Sequence, residues 1–514
     1  MGKLPAIARA LLRPKAYPHQ TQEIELVQTQ MSFVFLTGDY VYKVKKPVDL
    51  GFLDYTTLEK RHFFCHQELQ LNRRLCPDAY LEVVPIVQDG GEVRLGGKGK
   101  VMEYAVKMRQ LPRERMMDSL LPSGELTEEM VVKVAEKLAA FHNKAKTSRE
   151  ISIYGGLKTI RKNADENFSQ TEKYIGISIP PRKYHQIKAY TDDFIKANIS
   201  LFNKRMEEGR IRDCHGDLHA AHICFTNSIC IYDCIEFNDR FRYCDVASEI
   251  AFLAMDLDRY LRPDLSHAFV NAYAQLSRDE ELLKLLNFYK CYRAYVRGKV
   301  ESFKLDDPYI PQDKAILNTA ANYFGLAYMY TRAKPILFIT AGLAGTGKTT
   351  LVQALSRRLG LTVISSDVTR KKLARIPITE RRFESFEAGI YSEDFSRKTY
   401  YEMFTEAGRL LSQGQPVILD ASFKKKEGRQ RARKLAEESG ADFAVIECIL
   451  DEETVRKRLE QRAKEGSVSD GRWEIFESQK RDFDKITEIP TQKHIVLDTS
   501  QPLDENINLI LDEV

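Results

Sequence analysis

The sequence predicts two domains: a two-lobed α+β domain over residues 1–332, then an α/β domain with a parallel sheet over 333–514. The first indication is length, since 514 residues exceed one ordinary core at roughly 100–200 residues per domain. The second is a cluster of breakers at Asp306-Asp307-Pro308, Ile310-Pro311 and Tyr330 to Pro335, which interrupts the helical pattern and sets the boundary near 333. The third is the alternation of apolar runs with helical segments beyond it, the pattern of a parallel sheet covered on both faces.

In the first domain, residues 31 to 46 read as two β-branched and aromatic strands around a Thr37-Gly38-Asp39 turn, a hairpin. Glu59 to Leu75 has helical composition and ends at Cys76-Pro77; Tyr80 to Gln88 and Lys100 to Met108 return to strand. Strands, helix and strands make a small α+β lobe. From Thr127 to Lys144 apolar residues recur at helical spacing (Val131, Val134, Leu138, Phe141), and the chain to about 330 is mostly helical outside 211 to 245. In the second domain strands are expected at 336 to 340, 361 to 365, 416 to 420, 443 to 449 and 494 to 498.

Composition excludes several classes. Charged residues make up 29% and hydrophobic residues 43% of the chain, as in a globular protein, and no stretch approaches the ~18 apolar residues that span a bilayer. The N-terminus lacks the apolar core of a signal peptide, so the cytoplasm is the expected compartment and no membrane partner is expected. Nine cysteines, scattered and never at CxxC spacing, read as reduced thiols. A net charge of +5, from 78 basic and 73 acidic residues, disfavours nucleic acid. Oligomeric state is not legible.

Gly342 to Thr349 fits GxxxxGK[ST] without mismatch, directly after an apolar strand and before a helix. In that context glycine backbone N–H groups converge on phosphates, so Gly342, Gly345, Thr346, Gly347, Lys348, Thr349 and Thr350 are the expected ATP contacts. Lys348 reaches the β and γ oxygens, and the Thr349 hydroxyl can hold Mg²⁺. Pro416 to Ser422 is an apolar strand ending in Asp420, suited to the same metal. Asp367 and Arg370 follow the next strand at a spacing that lets a carboxylate take a hydroxyl proton while a guanidinium holds the acceptor. Arg456, Arg458 and Arg462 lie on a later helix near the stretch Gly466 to Gly471, and Arg458 and Arg462 at i, i+4 share a face. This part, roughly 334 to 514, resembles P-loop kinases of the group holding gluconate kinase-like proteins, zeta toxin-like kinases and phage-type polynucleotide kinase. The resemblance assigns Asp367 and Arg370 to the acceptor and Arg458 and Arg462 to a lid.

A second motif stands at His215-Gly216-Asp217-Leu218-His219, followed by Ile231-Tyr232-Asp233. Two carboxylates on neighbouring loops suit a base, Asp217, and a metal ligand, Asp233. A zinc site of His215, His219 and His222 is disfavoured because those offsets align only on a helix, which Gly216 weakens. The segment resembles the catalytic loop of the aminoglycoside phosphotransferase and choline kinase-like superfamily, which has the protein-kinase fold, across about 25 to 310. The resemblance implies that Lys43 or Lys45 contacts phosphate with Glu68 as ion-pair partner; strand alternation puts both lysines on one face. It also implies that Met102 to Met108 forms the adenine-binding hinge, Met108 included. Asp245 to Ala251 resembles a structural helix start of the same superfamily. His222 replaces the second metal-ligand Asn, and Gly38 is all that stands for a glycine-rich loop. Together the halves resemble bacterial fusions of such a domain with a P-loop domain. The expected function is ATP-dependent phosphotransfer to a hydroxyl of a small metabolite. A polynucleotide 5′-hydroxyl kinase and a regulatory protein with a pseudokinase N-terminal domain are the alternatives.

Overall fold

The computed structural model describes residues 4–306, 314–377, 380, 389–464 and 473–513. Packing divides the chain between Ala320 and Ala321, the second unit also taking Pro181–Lys183. The division falls inside the helix Lys314–Met329, ahead of the 330–335 breakers. The reason is local: Gly325 lets this helix approach the Arg358 carbonyl so closely that a Cβ there would overlap it.

The first unit opens on a six-stranded antiparallel sheet: β1 Glu25–Gln28, β2 Ser32–Leu36, β3 Tyr40–Lys45, β4 Tyr80–Asp89, β5 Glu92–Leu95 and β6 Lys100–Arg109, in the order β1-β2-β3-β6-β4-β5. β2 and β3 form the hairpin expected from sequence, with Gly38 at φ 94° in its turn. The two short edge strands, β1 and β5, carry too few apolar residues to be legible. The helix Leu58–Asn72 begins where the Thr57 hydroxyl accepts the Lys60 N–H at 3.2 Å, a side-chain cap that satisfies an otherwise orphaned donor.

Beyond residue 116 helices dominate. Val131, Val134 and Leu138 of Glu128–Lys144 are fully buried in the main apolar core. Four short strands frame the motif region: β7 Ile211–Asp213 pairs with β10 Tyr243–Asp245, and β8 Ile223–Phe225 with β9 Ile229–Ile231. The helix Val246–Arg259 follows, capped by Asp245. Asp245 receives a two-pronged contact from Arg205, at 2.8 and 2.6 Å, so this helix start is a buried structural joint.

The expectation of nine reduced thiols is corrected here. Cys76 and Cys230 form a disulfide, and the other seven cysteines are free. The pair is separated by 154 residues and meets because β9 packs against the turn that follows Leu58–Asn72; no local spacing could announce it.

In the second unit β11 Ile336–Ala341, β12 Thr362–Ser365, β13 Val417–Asp420, β14 Asp442–Ile449 and β15 His494–Asp498 form a wholly parallel sheet, β12-β13-β11-β14-β15. Each falls within a residue of its expected position. All of β11 is buried. Leu337 and Ile339 face one apolar layer and Ile336 and Phe338 the other, which is why the strand reads as a continuous apolar run. No helix among the described residues is long and apolar enough to cross a membrane.

Candidate functional sites

In the second unit the loop leaving β11 turns through Gly342, Gly345 and Gly347 at φ 132°, 82° and 83°. A side chain at Gly342 would bring its Cβ within 2.5 Å of the Cys448 carbonyl, so only glycine fits. The helix Lys348–Leu359 starts immediately after, aiming its free N–H groups at the loop. Thr346 is buried, Thr350 is exposed one turn along, and Lys348 Nζ donates to the carbonyls of Gly342 and Leu343 at 3.0 and 2.7 Å.

Because β13 lies directly beside β11, its terminal Asp420 meets the loop. The Thr349 hydroxyl donates to Asp420 Oδ2 at 2.9 Å. Burial raises the Asp420 pKa, against the opposing pull of Lys348 and Thr349. A hydroxyl and a carboxylate side by side are the hard oxygen donors that suit Mg²⁺.

Asp367 and Arg370 lie on the helix Ser366–Leu373. Arg370 is buried, donates to the Ile390 carbonyl at 2.9 Å and stacks on Tyr391, so it is anchored by protein as well as facing Tyr400. The Tyr400 hydroxyl is bonded to Ser422 and feels both Arg370 and Asp367. Arg458 donates to the Thr499 carbonyl at 3.1 Å and borders Gly347. The Arg462 side chain and the stretch 466–471 lie outside the described residues.

Sequence reading missed two supports of the loop, Thr499, whose hydroxyl donates to the Thr346 carbonyl at 2.9 Å, and Gln479, which accepts the Ala344 N–H at 3.1 Å, and it missed Tyr400 beside Arg370 and Asp367. None sits in a motif.

In the first unit a cavity of about 1970 Å³ is lined by Lys43, Met108, Asp217, Asp233 and Glu236 among others. The two lysines are told apart by depth. Both bind Glu68, Lys43 at 2.9 Å and Lys45 at 2.7 Å. Lys43 also reaches Asp233 at 2.6 Å from the cavity wall, whereas Lys45 is buried beneath it against Glu236 and Tyr55. Burial works against both charges, but the surrounding carboxylates outweigh it and raise both amines well above the usual range. The hinge expectation is corrected: Met102 to Met108 lies within β6, hydrogen-bonded to β3 and β4 on either side. Of that segment only Met108 lines the cavity, and the wall continues through Arg109 to Pro112.

Asp217 follows Gly216, which sits at φ 87°. Glu249 holds this turn, accepting the N–H of His215 and Gly216 at 2.9 and 2.7 Å and contacting His142 Nε2 at 3.0 Å. Burial would raise the Asp217 carboxyl, but His219, His222 and Arg297 overcome it and hold the group well below its ordinary range. Asp233 is likewise depressed, burial being outweighed by Lys43 and His222.

The helical requirement for the histidines is also corrected. His219 and His222 come together without an α-helix, ring centres 3.9 Å apart, while His215 turns away to the Tyr232 carbonyl at 2.8 Å. Asp217, His219 and His222 are grouped closely enough to share an ion. Burial, with His219 beside it, lowers His222 to about 4, so the ring is neutral near pH 7. Its Nδ1 bonds the Asp217 carbonyl at 2.9 Å; an N–H there leaves Nε2 an acceptor, 3.5 Å from Asp233 Oδ2. A nitrogen beside a carboxylate suits Mg²⁺ less well than the Thr349–Asp420 pair does.

Residues 337–486 match a family model described as an AAA domain, which with the loop, the helix and Asp420 defines the second unit as a nucleotide-binding P-loop domain. Over 453 residues, 88% of its own length and of theirs, the chain is 30% identical to the uncharacterized protein Rv2004c of Mycobacterium tuberculosis and the uncharacterized protein Mb2027c of Mycobacterium bovis. The chain belongs to the family of these mycobacterial proteins. Among solved structures, a gluconokinase from Sinorhizobium meliloti is 20% identical, covering 35% of this chain and 93% of its own, at a TM-score of 0.25. A choline/ethanolamine kinase family protein from Mesorhizobium loti is 11% identical, covering 64% of this chain and 94% of its own, at a TM-score of 0.39.

Proposed function

We propose that the protein transfers the γ-phosphoryl group of ATP to a hydroxyl of a small molecule. The observation that carries the reading is the Thr349–Asp420 pair seated behind a complete phosphate-binding loop. In this reading Lys348 leaves its loop carbonyls for the β and γ oxygens, and the loop N–H groups and Arg458 offset the charge that spreads during transfer. Thr349 and Asp420 would hold Mg²⁺, whose positive charge would offset that of the ATP phosphates. The acceptor oxygen bonds to the γ phosphorus as the bond to the β–γ bridging oxygen breaks, ADP departs, and Asp367 takes the hydroxyl proton.

The first unit supports a parallel assignment in which Lys43 holds phosphate, Asp233 faces the metal, and Asp217, kept ionised by its neighbours, receives the acceptor's proton. A second reading, that this unit binds nucleotide without turnover and regulates the other, is favoured by one observation: the His222 nitrogen directed at Asp233.

The test is transfer of label from γ-labelled ATP into a metabolite extract by wild type, Lys348→Ala and Asp217→Asn. Each substitution is expected to reduce its own product by about 10²–10³-fold. Label lost with Lys348→Ala alone selects the regulatory reading of the first unit. No label in any sample overturns phosphotransfer.

A further inference from the structure

We infer that the first unit's cavity takes an anionic hydroxyl compound, one bearing a carboxylate, phosphate or sulfonate, as the partner of ATP. The inference rests on the phosphotransferase reading only in calling Asp217 the acceptor's neighbour. At about 1970 Å³ the cavity is roughly twice the upper end of an ordinary ligand pocket, about 1,000 Å³, which leaves room for a second molecule beside a nucleotide. The nucleotide end is marked by Lys43 and Met108. Another part of the wall is the helix Leu282–Phe303, whose Arg293, Arg297 and Lys299 all line the cavity.

These cations differ in what they do. Arg293 is structural, donating to the Gly216 carbonyl at 3.1 Å, and so steadies the turn before Asp217. Arg297 lies close enough to Asp217 to act on its charge, with Glu301 3.9 Å away on its own helix. Lys299 Nζ is held by amide oxygens, those of Asn167 at 2.6 Å and Gln170 at 2.9 Å. Neutral holders orient an ammonium without cancelling it. Glu166, a carboxylate facing this wall, is engaged by Arg240 at 2.7 Å. At the exposed margin Lys173 is bound by Asp306 and so does not offset Glu172, which also lines the cavity. On this wall beside Asp217 three cations, Arg293, Arg297 and Lys299, stand against Glu301 and Glu172, an excess that attracts an anion and repels an amine.

The experiment is calorimetric titration of the full chain with hydroxylated probes of matched size: sugar phosphates, hydroxy acids and hydroxy sulfonates against glycerol and choline. At least one anionic class is expected to bind at least about tenfold more tightly than the neutral and cationic probes, and Arg297→Gln/Lys299→Gln to remove that preference, each tenfold being about 1.4 kcal/mol. Lys299→Arg should keep it. The preference must survive in Lys348→Ala, which separates this pocket from the P-loop. Tighter binding of choline or glycerol, no binding of any anion, or full anion binding by the double variant overturns the inference. So does a double variant that weakens ATP alone, which would assign Arg297 to the γ-phosphate. Because binding is read without transfer, a chain that binds anions and moves no label refutes phosphotransfer while upholding the pocket. Lys299→Gln alone, at a half-buried surface position, serves if the double variant does not fold.

Discussion

The P-loop is built from the single run Gly342 to Thr349, whereas the first unit gathers Lys43, Glu68 and Asp233 from distant segments and joins them by ion pairs, with Asp217 brought beside Asp233 through His222. One site is built from backbone N–H groups and left-handed glycines, the other from side-chain charge that runs from the cavity wall at Asp233 and Lys43 down to the buried Glu68 and Lys45. The difference teaches where each is vulnerable. Backbone cradles fail by shape; charge networks fail when a buried partner is lost, because the remaining charge has no water to turn to.

The largest expected effect concerns the covalent tie that holds the dispersed site. Reducing Cys76–Cys230 opens a loop spanning 154 residues, about 5 kcal/mol on a chain-entropy basis. Calorimetry with and without reductant should show the first unit unfolding at lower temperature and the P-loop unit unmoved; an unchanged trace would deny the bond any part in holding the site. Next comes Glu249→Ala, which strips His142 and the turn before Asp217 of a buried carboxylate and should cost about 3–5 kcal/mol. Burial opposes the charge on Glu249, but His142, His215 and the turn amides prevail, and the group falls to about 2 from an ordinary 4.5. A depressed carboxylate contributes stability that is whole above the ordinary value and lost as pH falls toward the folded one. Acid unfolding between about pH 4.5 and 2 should therefore be blunted in the variant.

Gly342→Ala tests the other side of the comparison. Strain of about 1–3 kcal/mol and collision with the Cys448 carbonyl should weaken ATP binding at the P-loop, read by titration, and spare the first unit. The smallest effect is a pH profile. Burial lowers Lys299 to about 8, with Glu166 opposing and Arg240 reinforcing. The ammonium is charged below that value, so anion affinity should decline as pH rises through about 8, by up to about tenfold. Lys299→Arg should flatten the curve.

Legibility followed the same division. Gly342 to Thr349, Asp420 and the five parallel strands were readable because a contiguous motif and continuous apolar runs report local conformation. The His215 to Asp233 region was readable as a motif, yet the choice between Lys43 and Lys45 was not, since alternation gives both the same face and only tertiary depth separates them. Thr499, Gln479 and Tyr400 carry no local signature, and their roles exist only once distant strands and helices come together. Cys76 and Cys230 lie in the same class. Of the histidine triplet only His219 and His222 meet, through an extended segment and a single 3₁₀ turn rather than a helix, while His215 turns away to Tyr232.

Asp233 sits at φ 63°, a left-handed backbone that aspartate, asparagine and glycine enter most cheaply. As sequences drift, few replacements are open to this position. Asparagine keeps the turn and discards the charge, glycine keeps the turn and discards the side chain, and a β-branched residue loses the turn itself. A lineage abandoning chemistry in the first unit while retaining its fold would leave its trace here first, as a single change from acid to amide.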